Sequence, residues 1–209
     1  QWLGEIPAHW EVVPLKNVIS IEMGYAFKSD DFVDAGIPVL RIGDILFDGT
    51  VDFSHAKFLP HVYADLYNKW LIKNGDFLMA MTGATVGKVG KFLQGDLALL
   101  NQRVCKLRPN DQAQLDYLWL VLSSDYFRKY IELEAFGGAQ PNISADVIGL
   151  CSVACPDNDE ALEIAKAISP TIAEIGNTTA HINRSILHLT EYRSALITAA
   201  VTGQIPELQ

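Results

Sequence analysis

The sequence predicts an α+β protein: a mixed β-sheet domain followed by a long C-terminal helix of coiled-coil character. Three observations carry this. Short apolar, β-branched runs bounded by glycine or proline recur through residues 1–156 and read as strands. Residues 115–135 set aromatic and aliphatic side chains at helical spacing. From residue 157 onward, Ile168, Ile175, Ile182, Leu189 and Leu196 recur every seven residues, and Ile172 and Ile186 each follow one of them by four. That spacing draws one apolar seam along a helix that packs lengthwise on another. The amphipathic edge of a globular domain gives a similar stripe, so spacing alone leaves both readings open.

The elements follow in order. IPVLRIG (37–43), framed by Gly36 and Gly43, reads as a buried strand. GDFLMAMTG (75–83) is a second, and VGKVGKF (86–92) its hairpin neighbour. RVCKLRP (103–109) alternates Val104, Cys105 and Leu107 against Arg103, Lys106 and Arg108, and Pro109 stops it. LDYLWLVLSSDYFRKYIELEA (115–135) is expected to form one amphipathic helix on the sheet. GGAQPNIS (137–144) is a loop, and residues 150–155 a last short strand ended by Pro156. Asp157, Asn158 or Asp159 then caps a helix whose first turn is acidic. Pro170 predicts a kink or a restart, and Gly203 with Pro206 ends the helix. The division expected is residues 1–156 and residues 157–209.

Composition narrows the class. Forty-nine per cent apolar residues spread along 209 positions argue for packed structure throughout. No run of 18 apolar residues predicts a membrane span, and the first residues, QWLGEIPAHWE, lack the order of a signal peptide. Three cysteines, an odd number, fit a reducing cytoplasm better than a disulfide framework. Cys151 and Cys155, four apart with no second pair to complete a metal site, read as small buried apolar residues. The net charge of −9 is unfavourable for a polyanion partner, yet it is uneven: residues 69–108 hold seven Lys/Arg against two Asp, a net +5. One basic segment in an acidic chain can make a basic face, and scattered surface lysines would give the same tally. The acidic remainder predicts weak binding to DNA by this chain alone.

No catalytic apparatus is legible. TGATVGKVGK (82–91) approaches a phosphate loop, but Gly83 precedes Gly87-Lys88 by four positions and Val89 stands where a magnesium-holding hydroxyl belongs. No GxGxxG follows a strand, and QPNIS lacks the Asn-Pro-Pro-aromatic motif of an adenine methyltransferase. The five histidines are scattered, and no Ser/His/Asp or Cys/His set appears. No cofactor and no catalytic residue are expected.

Specific segments then point to a family. WLGEIPAHWEVVPL (2–15), GYAFKSDDF (24–32), GIPVLRIGDI (36–45), NGDFLMAMTGATVGKVG (74–90), LLNQRVCKL (99–107) and GGAQPNIS (137–144) resemble, in this order, the signature segments of a target-recognition domain in specificity (S) subunits of type I restriction–modification systems. LTEYRSALITAAVTGQI (189–205) resembles the end of the helical spacer that follows. The resemblance covers nearly the whole chain. It implies a non-catalytic, cytoplasmic subunit that reads one half of a split site in double-stranded DNA. It also implies docking to adenine methyltransferase (M) subunits and, through the complex, to a motor-nuclease (R) subunit. An S subunit carries two such domains and two spacers, so this sequence looks like a half-subunit, with self-association through the C-terminal helix expected.

Arg suits guanine edges, and Asn or Gln suits adenine, while glycine-rich loops let backbone approach phosphate. On chemistry and position the DNA-contact candidates are Lys28, Arg41, Lys88, Lys91, Gln102, Arg103, Gln140 and Asn142. The same amides could instead brace their loops. Tyr25 and Phe27 read as core. Two alternatives stay open: the recognition subunit of a related restriction–modification system, or a coiled-coil interaction protein without DNA binding. Scattering of the basic 69–108 side chains around the fold would favour the last.

Overall fold

The computed structural model describes residues 4–93, 97–135 and 141–204. The chain forms two compact units, Gln1–Ala165 and Lys166–Gln209.

In the first unit the strands are β1 (Glu11–Pro14), β2 (Ile19–Met23), β3 (Ile37–Leu40), β4 (Lys57–Leu59), β5 (Leu71–Ile72), β6 (Phe77–Ala80), β7 (Val89–Lys91), β8 (Ala98–Leu100), β9 (Val104–Pro109) and β10 (Ser152–Cys155). The helices are α1 (Tyr63–Leu66), α2 (Leu115–Leu122), α3 (Asp125–Glu134), α4 (Ala145–Gly149) and α5 (Asn158–Val201), which continues into the second unit. One sheet is antiparallel throughout, in the order β2-β9-β6-β7. A second, β4-β3-β8-β5, is mixed, because β3 and β8 run parallel. β1 and β10 pair antiparallel and join the two ends of the unit.

β6 explains the layering. All four of its residues, Phe-Leu-Met-Ala, are buried, so the strand is covered on both faces. Phe77 and Met79 point into a core with Leu118 and Leu122 of α2 and Phe127 and Ile131 of α3. Leu78, on the opposite face, packs with Leu40, Ile72 and Leu100 of the mixed sheet. The antiparallel sheet therefore lies between the helices and the mixed sheet.

Three expectations change. The helix expected over 115–135 is two helices, because the Ser124 hydroxyl accepts a hydrogen bond from Phe127 N and starts α3 afresh. The alternation expected in β9 fails at Lys106, which is only 2% exposed. It shares a face with Val104, and its ammonium reaches the Leu71 carbonyl of the mixed sheet at 3.2 Å and Glu22 at 3.2 Å. Finally, of the kink or restart expected at Pro170, the restart does not occur. The helix runs from Asn158 to Val201 through it, and the exposed Lys166 carbonyl simply has no proline N–H to accept. The capping expectation holds, with the Asp157 carboxylate accepting from Glu160 N at 2.9 Å. At the other end Gly203 adopts φ +69, with Gln204 N donating to Ala199 O and Gly203 N to Ala200 O, a Schellman close.

Lys106 belongs to an ion-pair chain in which Arg108 holds Asp76 through two bonds of 2.7 and 2.9 Å and approaches Glu22 at 3.8 Å. Removing one partner of a buried cation strands it, whereas a shape-matched apolar residue removes the charge with the need for a partner. Glu22→Ala is therefore expected to cost about 2–3 kcal/mol, less than a fully buried pair because Glu22 is partly exposed, and Lys106→Met to be near neutral. Chemical denaturation of both variants checks this. Equal losses in the two would show that Lys106 contributes through its charge.

Candidate nucleic-acid interface

Five segments far apart in sequence meet at one end of the two large sheets. The exit of β2 is tied to the β8–β9 turn by Tyr25 N to Leu100 O (2.9 Å) and Gln102 N to Tyr25 O (3.0 Å). The end of β3 joins through Asn101 N to Leu40 O (3.0 Å). The end of β6 joins through Met81 N to Arg103 O (2.9 Å). The segment after the 136–140 stretch joins through Ile143 N to Met81 O and Gly83 N to Pro141 O (3.0 and 2.9 Å). Asn101 tightens the turn by accepting from Arg103 N through its side chain. These are the segments singled out in the sequence, and backbone pairing is what they share.

The candidate side chains divide. Gln102, Arg103 and Asn142 stand exposed at this end, and Lys28 is exposed further along the chain from Tyr25. None of the four side chains bonds another described residue. Lys88 lies in the 83–89 turn beside them, its backbone carbonyl accepting from Ala80 N. The Lys88 ammonium donates to Ile45 O at 2.9 Å, and loss of hydration lowers its pKa. Arg41 is partly withdrawn: it donates to His55 O at 2.8 Å and lies 3.7 Å from the buried Asp44. Burial raises the Asp44 pKa against the opposing bond from Arg41 N. Lys91 sits three residues along β7 with its ammonium 3.6 Å from Asp116. Gln140 lies outside the described residues.

The +5 segment does not survive as a free basic face. Lys106 and Arg108 serve Glu22 and Asp76, Lys91 serves Asp116, Lys69 lies 5.7 Å from the Trp70 ring centroid, and Lys73 is exposed in the turn that leads into β6, at the opposite end of that strand from Met81. Lys88 and Arg103 remain at the convergent end. Charge alone thus favours the interaction reading, and the DNA reading must rest on other observations. Tyr25 and Phe27 are half-buried in a cluster with Tyr63, Tyr67 and Trp70, and Phe27 packs against the buried Ile37, Val39, Leu59 and Leu99 as expected of a core residue. Burial pushes the Cys105 thiol up to about 12 and the Cys151 thiol to about 11, and it raises that of the partly exposed Cys155 as well, so thiolate is disfavoured at each.

Sequence reasoning missed Phe47, which stands in solvent against Lys88. The Asp48-Gly49 pair after an apolar run was the available signal of an aromatic at a turn tip. Among the described residues no group of three His, Cys, Asp or Glu side chains could hold a metal ion, and no helix is long and apolar enough to cross a membrane.

Comparisons with known proteins bear on this arrangement. The profile of the type I restriction modification DNA specificity domain matches residues 7–188. The chain is 29% identical to the type I restriction enzyme MjaVIII specificity subunit of Methanocaldococcus jannaschii, over 97% of this chain and 48% of that relative. It is 23% identical to the EcoKI specificity subunit of Escherichia coli, over 98% of this chain and 45% of the relative. It therefore spans about half the length of the curated relatives it matches. The fold is similar to the HsdS subunit of Thermoanaerobacter tengcongensis, with a TM-score of 0.60 at 17% identity, covering 84% of this chain and 41% of that one.

Proposed function

The chain belongs to the family of type I restriction modification DNA specificity domains, and from that premise we propose that it reads one half-site of a split double-stranded DNA target. In this reading residues 1–156 form the target-recognition domain and residues 157–209 the helical spacer. The spacer docks adenine methyltransferase subunits, and a motor-nuclease subunit joins the same cytoplasmic complex. The chain itself carries out no chemistry: adenine must be flipped out of the stack to be methylated, and the catalytic groups come from the partner.

The observation that carries this is the convergence of Gln102, Arg103 and Asn142, exposed and without described partners, at one stitched sheet end with Lys88 beside them. Donors and acceptors held on rigid backbone and left unspent are what base-edge and phosphate contacts require. The exposed seam on α5 favours the interaction reading as well, and the two are compatible, since a spacer must bind a partner.

The test is a binding series at several salt concentrations, with the methyltransferase present. Lys88→Ala is expected to weaken binding to all duplexes alike and to flatten the salt slope by about one unit. Arg103→Ala is expected to cost about 1–3 kcal/mol and relax preference at one target position. Lys91→Ala, whose charge already faces Asp116, should leave the slope unchanged. Wild-type affinity and slope in both the Lys88 and Arg103 variants would remove this end of the sheets from the DNA interface.

A further inference from the structure

The connection from β3 to β4 projects a tip that the reading above does not use. Ile45 bridges Val51, Leu46 N donates to Thr50 O at 2.9 Å, and Gly49 N donates to Leu46 O at 3.2 Å. The Asp48 carboxylate is turned into this turn, where it accepts from Thr50 N (2.9 Å) and from the Thr50 hydroxyl (2.6 Å); the hydroxyl bond leads in holding its pKa down. The turn is pinned to β7, since Lys91 N donates to Gly49 O at 3.0 Å. The pinning depends on Gly90, where a Cβ would lie 2.9 Å from Ile45 Cγ2 and 3.1 Å from Gly49 O.

This rigid tip holds Phe47 90% exposed. The Lys88 ammonium lies 3.9 Å from the ring centroid and donates to Ile45 O, so the ring and the cation are fixed together. A free ammonium carries three donors, which leaves Lys88 able to meet a second acceptor. A docking site for a protein partner would be a contiguous apolar patch. Phe47 instead stands among Asp48, Thr50 and Lys88; its apolar neighbours are the exposed Leu46 on the tip and, in the cleft that it edges, Val86, Val89 and Trp119, whose apolar surface is interrupted by Ser123, Ser124, Arg128 and Glu132. A lone, preoriented aromatic flanked by a cation matches the apolar wedges that enter a DNA groove, where neighbouring basic groups meet the backbone.

We propose that Phe47 is an apolar probe that packs against the bases of bound double-stranded DNA while the Lys88 ammonium takes the adjacent phosphate. The inference rests on the DNA-reading role proposed above and adds a contact residue to it.

The experiment uses the complete complex on a duplex carrying the site that the complex methylates, with each thymine in turn replaced by the photocrosslinker 5-iodouracil. Mass spectrometry should find Phe47 joined to one of these positions. Phe47→Ala should weaken binding about tenfold, as expected for loss of a base–aromatic contact, with a salt slope parallel to that of the wild type because no counterion is involved. Phe47→Trp should retain the affinity. As the ring is in solvent, neither change should move the melting temperature. Wild-type affinity for Phe47→Ala, with no crosslink within residues 45–51, would overturn the proposal and leave the DNA reading intact. Loss of methyltransferase co-elution in Phe47→Ala would also overturn it, by assigning the tip to a protein interface. A wild-type complex that binds no duplex would overturn the DNA reading and this inference together.

Discussion

The chain is expected to self-associate through α5, and Ile182→Glu to make it a monomer while leaving the first unit folded. Ile168, Ile175, Ile182, Leu189 and Leu196 are each between 43 and 66% exposed on α5, so the heptad seam has no cover within the chain's described residues. Burying a Leu or Ile contributes roughly 1.5–3 kcal/mol, so a paired seam supplies about 10 kcal/mol before association costs. Those costs are of order 4–15 kcal/mol, which makes a micromolar dimer attainable and leaves little margin for error. A two-fold pair places a carboxylate from each chain in the apolar seam, and an unpaired buried charge costs far more than the contact it replaces. Glutamate is a better helix former than isoleucine, so α5 itself should persist. The hydroxyls of Thr190, Ser194, Thr198 and Thr202 already bond carbonyls one turn back, so covering this helix would strand none of them. Sedimentation equilibrium at micromolar concentration, with circular dichroism as the folding control, checks the result. A wild-type monomer indistinguishable from the variant would end the self-pairing proposal. An antiparallel two-fold pair also presents two identical readers, so the methylated site should be split and symmetric. An asymmetric site would mean that a different recognition domain completes the complex.

What the sequence made legible was local. The apolar run at 77–80, its hairpin partner at 89–91 and the capped start of α5 are set by nearest-neighbour chemistry, and all three are where glycine-bounded runs, alternation and the cap residues put them. The pairings of β1 with β10 and of β3 with β8 join residues far apart in the chain, and no periodicity reports a partner. Lys106 shows the same limit from another side. Its charge argued for solvent, but Glu22 across the β2–β9 ladder and the Leu71 carbonyl supply the partners that let it be buried. The same event emptied the basic segment. A net +5 is a sum over side chains, and only the fold says which of them are already spent on Asp76, Glu22 and Asp116. Gln102, Arg103 and Asn142 were readable as polar loop residues. That they share one sheet end follows from backbone bonds that only the fold makes.

Gly24→Ala tests that shared end most severely. Gly24 has no left-handed backbone; its requirement is closeness. A Cβ at this position would lie 2.1 Å from Asn101 O and 2.5 Å from Leu100 O, both backbone atoms that cannot rotate away. The methyl group can be accommodated only by parting the exit of β2 from the β8–β9 turn. That strains the bonds from Gly24 N to Val104 O, Tyr25 N to Leu100 O and Gln102 N to Tyr25 O. The expected cost is about 3 kcal/mol or more, in the range of severe overpacking, which for a chain of this size lowers the melting temperature by about 6–12 °C. Gly43→Ala is the matched control, because nothing lies within 4 Å of its Cβ and its φ is unrestricted; it should melt within about 2 °C of the wild type. The functional consequence follows from the same geometry. The displaced turn also carries Arg103 and holds the ends of β3 and β6, so Gly24→Ala should lose target preference even at temperatures where it remains folded, whereas Gly43→Ala should keep it. A Gly24→Ala chain with wild-type melting and wild-type preference would show that the five segments are not held in register by this contact, and the stitched end would no longer explain how Gln102, Arg103 and Asn142 are positioned.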